Sequence, residues 1–165
     1  MDHRPLLSCC LIGTFLLAGC SSSGNDPPAA ASGSGAVIYD RSGVAQTYFW
    51  APNANVGCGY KAGSGSGATG TVRCEIVVKT WAPPVKPASC QAKWGSQVAL
   101  STRAEPVCAT ETVRVDPMAV ALPYGTAIRV SPFTCSSTTA GIGCVNTANG
   151  ASFLIGREHY EVHNP

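Results

Sequence analysis

The chain has 165 residues, a formal charge of +2, and 12% charged side chains against 45% hydrophobic ones. That length suits one folded domain. Basic residues such as Arg73, Lys79, Lys93 and Arg103 stand singly, never in runs, which argues against a nucleic-acid partner.

The first element is an export signal. His3 and Arg4 precede an apolar run from Leu6 to Leu17, and small residues follow at Ala18 and Gly19. This is the charged, apolar and cleavage-site order of a secretory leader. The run is too short to cross a bilayer comfortably as a helix. Leu16-Leu17-Ala18-Gly19-Cys20 resembles the lipobox of bacterial lipoproteins. The resemblance implies cleavage before Cys20, lipidation of its thiol, and a domain held at the extracytoplasmic face of the cell membrane. Residues 1–19 are then the signal peptide and 20–35 a lipidated cysteine with its linker. Residues 36–165 form a single β-rich domain. Ser21 to Gly35 is Ser-, Gly-, Ala- and Pro-rich with no periodicity, the composition of a disordered tether.

Of nine cysteines, Cys9 and Cys10 leave with the signal and Cys20 carries the lipid. Cys58, Cys74, Cys90, Cys108, Cys135 and Cys144 remain, an even set that reads as three disulfides in an exported chain. No spacing is Cys-x-x-Cys, which argues against zinc and thioredoxin-like chemistry.

Ala36–Tyr39 and Thr47–Trp50 are expected as the first strands. Val56, Cys58 and Tyr60 alternate, as do Val72, Cys74, Ile76 and Val78 against Arg73, Glu75, Val77 and Lys79. That period of two predicts strands with one buried face, the second running from Thr71 to Lys79. A hairpin centred on Ser66 sets Cys58 opposite Cys74, Val56 opposite Ile76 and Tyr60 opposite Val72. Opposed residues lie roughly 4.5–5.5 Å apart, within disulfide reach. The same reasoning pairs Cys135 with Cys144 across a turn-rich loop from Ser136 to Gly141. Cys90–Cys108 follows by elimination and encloses a strand over Gln97–Ser101.

Trp81–Pro87 runs extended because its prolines cannot donate to a ladder. Thr112–Asp116 is expected as a short strand, and Asp116-Pro117 as the cap of one helical turn through Ala121, ended by Pro123. Thr126–Ser131, with Ile128 and Val130 inward, Ser152–Ile155 and Tyr160–Val162 complete the set. No segment after the leader holds a 3.6-residue apolar period for three turns. The expected fold is all-β: a small disulfide-stapled antiparallel sandwich or barrel with at most one or two short helical turns.

Three constellations bear on chemistry. Gly65-x-Gly67-x-x-Gly70 has dinucleotide-loop spacing, but no parallel strand–helix–strand unit follows it. His159-x-Glu161-x-His163 places metal-ligand types on one side of a strand, beside the terminal Asn164-Pro165, and reads as a solvated polar face. No nucleophile elbow is present. A hydrolase would need two of Asp40, Glu75, Glu105, Glu111, Asp116 and Glu158 at a set separation. No catalytic residue, metal or cofactor is therefore assigned, and the chain is not read as an enzyme.

An ordered set of short motifs covers Phe49 to Tyr160. It begins with Phe49-x-x-Pro52-x-x-Asn55-Val56-Gly57-Cys58 and continues with Arg73-Cys74-Glu75-Ile76, Cys90 and Trp94-Gly95. Cys108-Ala109-Thr110-Glu111-Thr112 and Leu122-Pro123-Tyr124-Gly125 follow. Last come Phe133-x-Cys135, Gly141-Ile142-Gly143-Cys144-Val145-Asn146, Gly150, Phe153, Arg157 and Tyr160. The set resembles a family of small exported bacterial domains of unknown function, common among actinobacterial lipoproteins. The resemblance implies an exported, disulfide-bonded domain and no activity. The chain departs from the family pattern at Glu111, where Asp is usual, and at Ala151-Ser152, where His-Gly is common.

Asn55, Glu111 and Arg157 are the candidate ligand-binding residues. Asn55 and Asn146 are also expected to satisfy backbone groups at strand ends, and Gly125 to occupy a turn of positive φ. The functional expectation is a membrane-anchored envelope lipoprotein whose domain binds a cell-wall component or an envelope protein. The alternatives are an inhibitor of a secreted lysozyme or protease, acting through the Gly63–Gly70 loop or the Pro83–Pro87 segment, and a carboxylate-dependent hydrolase.

Overall fold

A computed structural model describes residues 36–113 and 119–165. The described residues contain strands and no helix. The strands are β1 (Ile38–Asp40), β2 (Gln46–Trp50), β3 (Val56–Lys61), β4 (Thr71–Ile76), β5 (Gln97–Leu100) and β6 (Ala104–Pro106). After them come β7 (Val120–Ala121), β8 (Ala127–Val130), β9 (Phe133–Thr138), β10 (Gly141–Asn146), β11 (Ser152–Ile155) and β12 (Tyr160–His163). They form two six-stranded sheets, ordered β1-β8-β9-β10-β11-β12 and β6-β5-β4-β3-β2-β7.

The topology divides the chain into two equivalent halves. Strands β2–β6 form one antiparallel meander and β8–β12 the other. Each meander is preceded by a short leader strand that pairs, in parallel, with the first strand of the other meander. Thus β1 leads into β2 but pairs with β8, and β7 leads into β8 but pairs with β2. The correspondence holds residue by residue. One row across the second sheet reads Val120, Phe49, Cys58, Cys74, Val98 and Pro106. The matching row across the first reads Tyr39, Ile128, Cys135, Cys144, Phe153 and Val162.

Two of the three disulfides staple the central strand pair of each sheet. Cys58–Cys74 and Cys135–Cys144 join directly opposed residues, with Cα atoms 4.1 and 4.0 Å apart. That is the closer of the two spacings between which an antiparallel ladder alternates. All four sulfurs lie in the core between the sheets, with Phe49, Val98, Ile128 and Phe153 beside them. Tyr60 of β3 meets Phe133 of β9 across the layers, ring centroids 6.1 Å apart. Cys90–Cys108 lies outside this core cluster and ties the loop after β4 to the chain leaving β6.

Asparagines close the remaining seams. The buried Asn146 at the end of β10 donates from Nδ2 to Ser101 O just past β5, 2.7 Å, bridging the sheets, while its Oδ1 accepts from Ala148 N. Asn164 makes a two-way amide pair with Ala104, Nδ2 to O at 2.9 Å and N to Oδ1 at 2.7 Å. This pair joins the chain just past edge strand β12 to the first residue of edge strand β6, as a peptide unit would. The expectation thus holds for Asn146, and for Asn55, which bonds the main chain of Val78; Gly125 has a φ of 78°.

All three disulfides and the β3–β4 register are as read from the sequence. Four expectations need correction. The strand from Thr71 ends at Ile76, not Lys79, and Val78 is exposed. Beyond Ile76 the β5 side of the ladder has run out, and Asn55 takes over. It accepts from Val77 N at its carbonyl, accepts from Val78 N at Oδ1 and donates from Nδ2 to Val78 O. The Ser136–Gly141 loop shrinks to Thr139-Ala140, because Ser136 and Ser137 are buried strand residues, Ser136 paired to both neighbours of β9 and Ser137 to β10. Val120–Ala121 is a strand rather than part of a helical turn, since the parallel pairing to β2 satisfies its backbone; Asp116-Pro117 lies outside the described residues. Thr112 and Val113 join no ladder: the Thr112 hydroxyl and Val113 N both donate to the Glu75 carboxylate. The rest of that expected strand, Arg114–Asp116, lies outside the described residues. The short strand β6 has no counterpart among the expected strands; it is an edge strand that ends on Pro106, a position proline permits.

Candidate functional site

The exchange of leader strands creates a cleft on one side of the sandwich. It is lined by Tyr39 and Arg41 from β1 and just beyond, Tyr48 and Phe49 from β2, and Val120 and Leu122 from β7 and its continuation. Its volume is about 30 Å³, room for a water or two or a small apolar group rather than a whole metabolite. The walls are mainly apolar and aromatic. Next to the cleft-lining Tyr39 on β1, and turned to the other face of the sheet, Asp40 accepts from Ser42 N at 2.8 Å and lies 3.9 Å from Arg129 Nη1. The Ser42 amide, then its hydroxyl, holds the Asp40 carboxyl below the usual carboxylate range. Asp40 is therefore ionised at neutral pH and offsets the charge of Arg129, while Arg41 is the charged residue that lines the cleft.

None of Asn55, Glu111 and Arg157 lines this cleft. Asn55 is committed to the main chain of Val78. Glu111 offers its carbonyl to Arg73 Nη2 and Gln97 Nε2, at 3.0 and 2.7 Å. These two side chains point away from the core, so Glu111–Val113 lies across the outer face of β4 and β5. The Glu111 and Arg157 side chains are exposed. The Arg157 carbonyl accepts from Thr80 N and Thr80 Oγ1. Asn55 and Arg157 thus both attach to the segment that follows β4.

A second aromatic assembly secures that segment. Trp81 stacks on Tyr160 with centroids 4.6 Å apart, donates from Nε1 to Gly156 O at 2.8 Å, and has Lys79 Nζ 5.1 Å above its ring. The Tyr160 hydroxyl is buried without a partner, and burial raises its ionisation above the ordinary phenol range. Replacing Tyr160 with phenylalanine keeps the ring contact and removes the unpaired hydroxyl. Tyr160→Phe is expected to leave stability unchanged or raise it by up to about 1 kcal/mol, read from thermal unfolding. The folded state favours the neutral phenol, so wild-type stability is intact below the unfolded phenol's range and falls as pH rises through it. That fall is shallower in Tyr160→Phe.

The other sequence constellations have structural roles. The Gly63–Gly70 loop joins two antiparallel bridged strands with no helix after it, and Gly63 and Gly70 press against Ala68 and Tyr60. It holds no side chain larger than threonine, which makes it a poor anchor for a partner. His159 Nδ1 lies 3.7 Å from Glu161 Oε1. Among the described residues no group of three His, Cys, Asp or Glu side chains is placed to hold a metal ion. The Pro83–Pro87 segment is held from both sides: Trp94 Nε1 donates to Pro84 O at 2.7 Å, Lys86 Nζ donates to Ala92 O, and Gly95 packs on Pro83. Between these clamps Val85 is 94% exposed.

The cleft escaped the sequence because it rests on two parallel pairings between segments far apart in the chain. The one available signal was the apolar run Val37-Ile38-Tyr39 directly after a polar stretch.

Fold and site together define a disulfide-stapled all-β sandwich of two equivalent halves, with its cleft at the strand exchange. The chain belongs to the DUF6636 family of unknown function, whose model matches residues 27–161. No curated protein and no solved structure matches the chain. Among the described residues no helix is long and apolar enough to cross a membrane.

Proposed function

We propose that this chain is an envelope lipoprotein, anchored through a lipid on Cys20 at the extracytoplasmic face of the cell membrane, with a domain that binds rather than turns over its partner. The resemblance to actinobacterial lipoproteins points the same way. The observation that carries the reading is the pairing of Leu16-Leu17-Ala18-Gly19-Cys20 with a domain whose six remaining cysteines all form disulfides. Such bridges persist in oxidising compartments and not in a reducing cytosol. The partner class that fits is a cell-wall component or another envelope protein.

The test is metabolic palmitate labelling of the full chain in a bacterial host, followed by membrane fractionation. Wild type is expected in the membrane fraction carrying label, and Cys20→Ala to carry none. An unlabelled wild-type chain in the soluble fraction would refute the reading.

A second reading is favoured by the Pro83–Pro87 segment. A held, extended loop with one exposed aliphatic side chain loses little entropy on docking, as an inhibitor of a secreted protease or lysozyme requires. Inhibition of an elastase-type serine protease, lost by at least about tenfold in Val85→Asp, would support it. Equal inhibition by both forms would clear the loop.

A further inference from the structure

We infer that the β1/β7 side of the sandwich rests on the lipid bilayer, an inference that depends on the anchoring reading above. Five exposed large apolar side chains gather on this side: Val37, Ile38, Tyr39, Val120 and Tyr124, each between 41% and 58% exposed. They lie on the two leader strands, just before the first of them, and on the link from β7 to β8. The parallel β1–β8 pairing, continued by the Ala127 N to Val37 O bond, sets the start of β1 beside the turn that carries Tyr124. Tyr39 and Val120 line the same cleft. Both leader strands are sheet edges, and neither carries the lysine that ordinarily guards an exposed edge.

The position of the anchor selects the occupant. Only residues 21–35 lie between Cys20 and this edge, a length whose typical reach is about 20 Å for a chain of that composition. The surface nearest the anchor is therefore the apolar one. Tethering makes the contact effectively intramolecular, so weak apolar attraction suffices to hold it. Tyrosines suit the headgroup boundary, with the ring in apolar contact and the hydroxyl in water. Arg41 and Arg129, against the single carboxylate of Asp40, add attraction for anionic headgroups.

The test uses the full lipidated chain reconstituted in phosphatidylcholine–phosphatidylglycerol vesicles, with and without brominated acyl chains. Tyr39→Trp and, independently, Val120→Trp each add a reporter on this side, and Val85→Trp adds one far from it. The first two are expected to lose more emission to bromine than wild type, and Val85→Trp no more than wild type. Adding Ile38→Asp to either should abolish the extra loss. If mass spectrometry shows lipid on Cys20 and neither reporter loses extra emission, the contact is overturned and the anchor stands. A blue-shifted reporter insensitive to bromine means a second copy covers the surface, which also overturns it. A chain without lipid on Cys20 removes the anchoring reading and the contact together.

Discussion

Replacing Cys58 and Cys74 with alanine, or Cys135 and Cys144, is expected to lower unfolding free energy by about 4 kcal/mol per pair. About 3 kcal/mol of that comes from releasing a short closed loop in the unfolded chain, and the rest from the space left in a packed core. For a domain of this size that lowers Tm by about 10 °C or more. The argument turns on placement. Each bridge joins the central pair of its sheet and lies in the core cluster with Phe49, Val98, Ile128 and Phe153. Cys108 is exposed, so removing Cys90–Cys108 loses the loop contribution with little cavity and costs about 3 kcal/mol. Removing all four core cysteines takes away about 8 kcal/mol, comparable to the whole stability of an ordinary domain, and should leave no cooperative transition. Thermal unfolding of exported variants, followed by near-ultraviolet circular dichroism, reads all four cases. A Tm within two or three degrees of wild type for either core pair, by that same scale, would contradict the account.

Gly156→Ala is expected to cost about 3 kcal/mol, at the upper end for an overpacking change. A Cβ at this position would lie 1.7 Å from Ala140 O and 3.1 Å from the Gly141 Cα. In return, a Cβ on Gly141 would lie 2.2 Å from Ile155 O, at a φ of 148°. The β9–β10 and β11–β12 turns therefore touch backbone to backbone. Gly156 cannot retreat, because its N–H donates to His159 O and its carbonyl accepts from both His159 N and Trp81 Nε1. Gly143→Ala is the control. Its Cβ would meet Phe153 O at 3.6 Å and Leu154 Cδ1 at 3.7 Å, ordinary contact distances, so a change within about 0.5 kcal/mol is expected. Equal behaviour of the two variants in chemical denaturation would show that the turns are not in contact.

What the sequence disclosed, and what it hid, follows from the range of each interaction. Local alternation exposed β3 and β4, and hairpin register then paired Cys58 with Cys74. Cys135 and Cys144 yielded to the same logic, although Ser136 and Ser137 looked like turn residues. Serines buried in a ladder are indistinguishable from loop serines until the flanking strands are known. Val78 continued the alternation of β4 on paper, but the ladder stops where β5 stops, and that boundary is set by another segment. The reciprocal pairings of β1 with β8 and β2 with β7 left no trace in spacing, and in composition only the apolar run Val37-Ile38-Tyr39 marked the first of these segments. They turned Val120–Ala121 from an expected helical turn into a strand and built the cleft. Asn55 was singled out as a ligand residue, and its amide is spent on the main chain of Val78. Glu111 and Arg157 lend their carbonyls to the fold and keep exposed side chains. Backbone roles of this kind have no side-chain signature in a single sequence.

The proposed anchoring requires a lipid on one cysteine, and the three bridges require oxidation of the six that follow. Intact-mass spectrometry of the full chain, isolated from its native cells without reductant, tests this covalent state directly. The expected mass is that of residues 20–165 with an acylated Cys20 and six fewer hydrogens than the reduced chain. An unacylated amino terminus together with six thiols free to alkylate would contradict it.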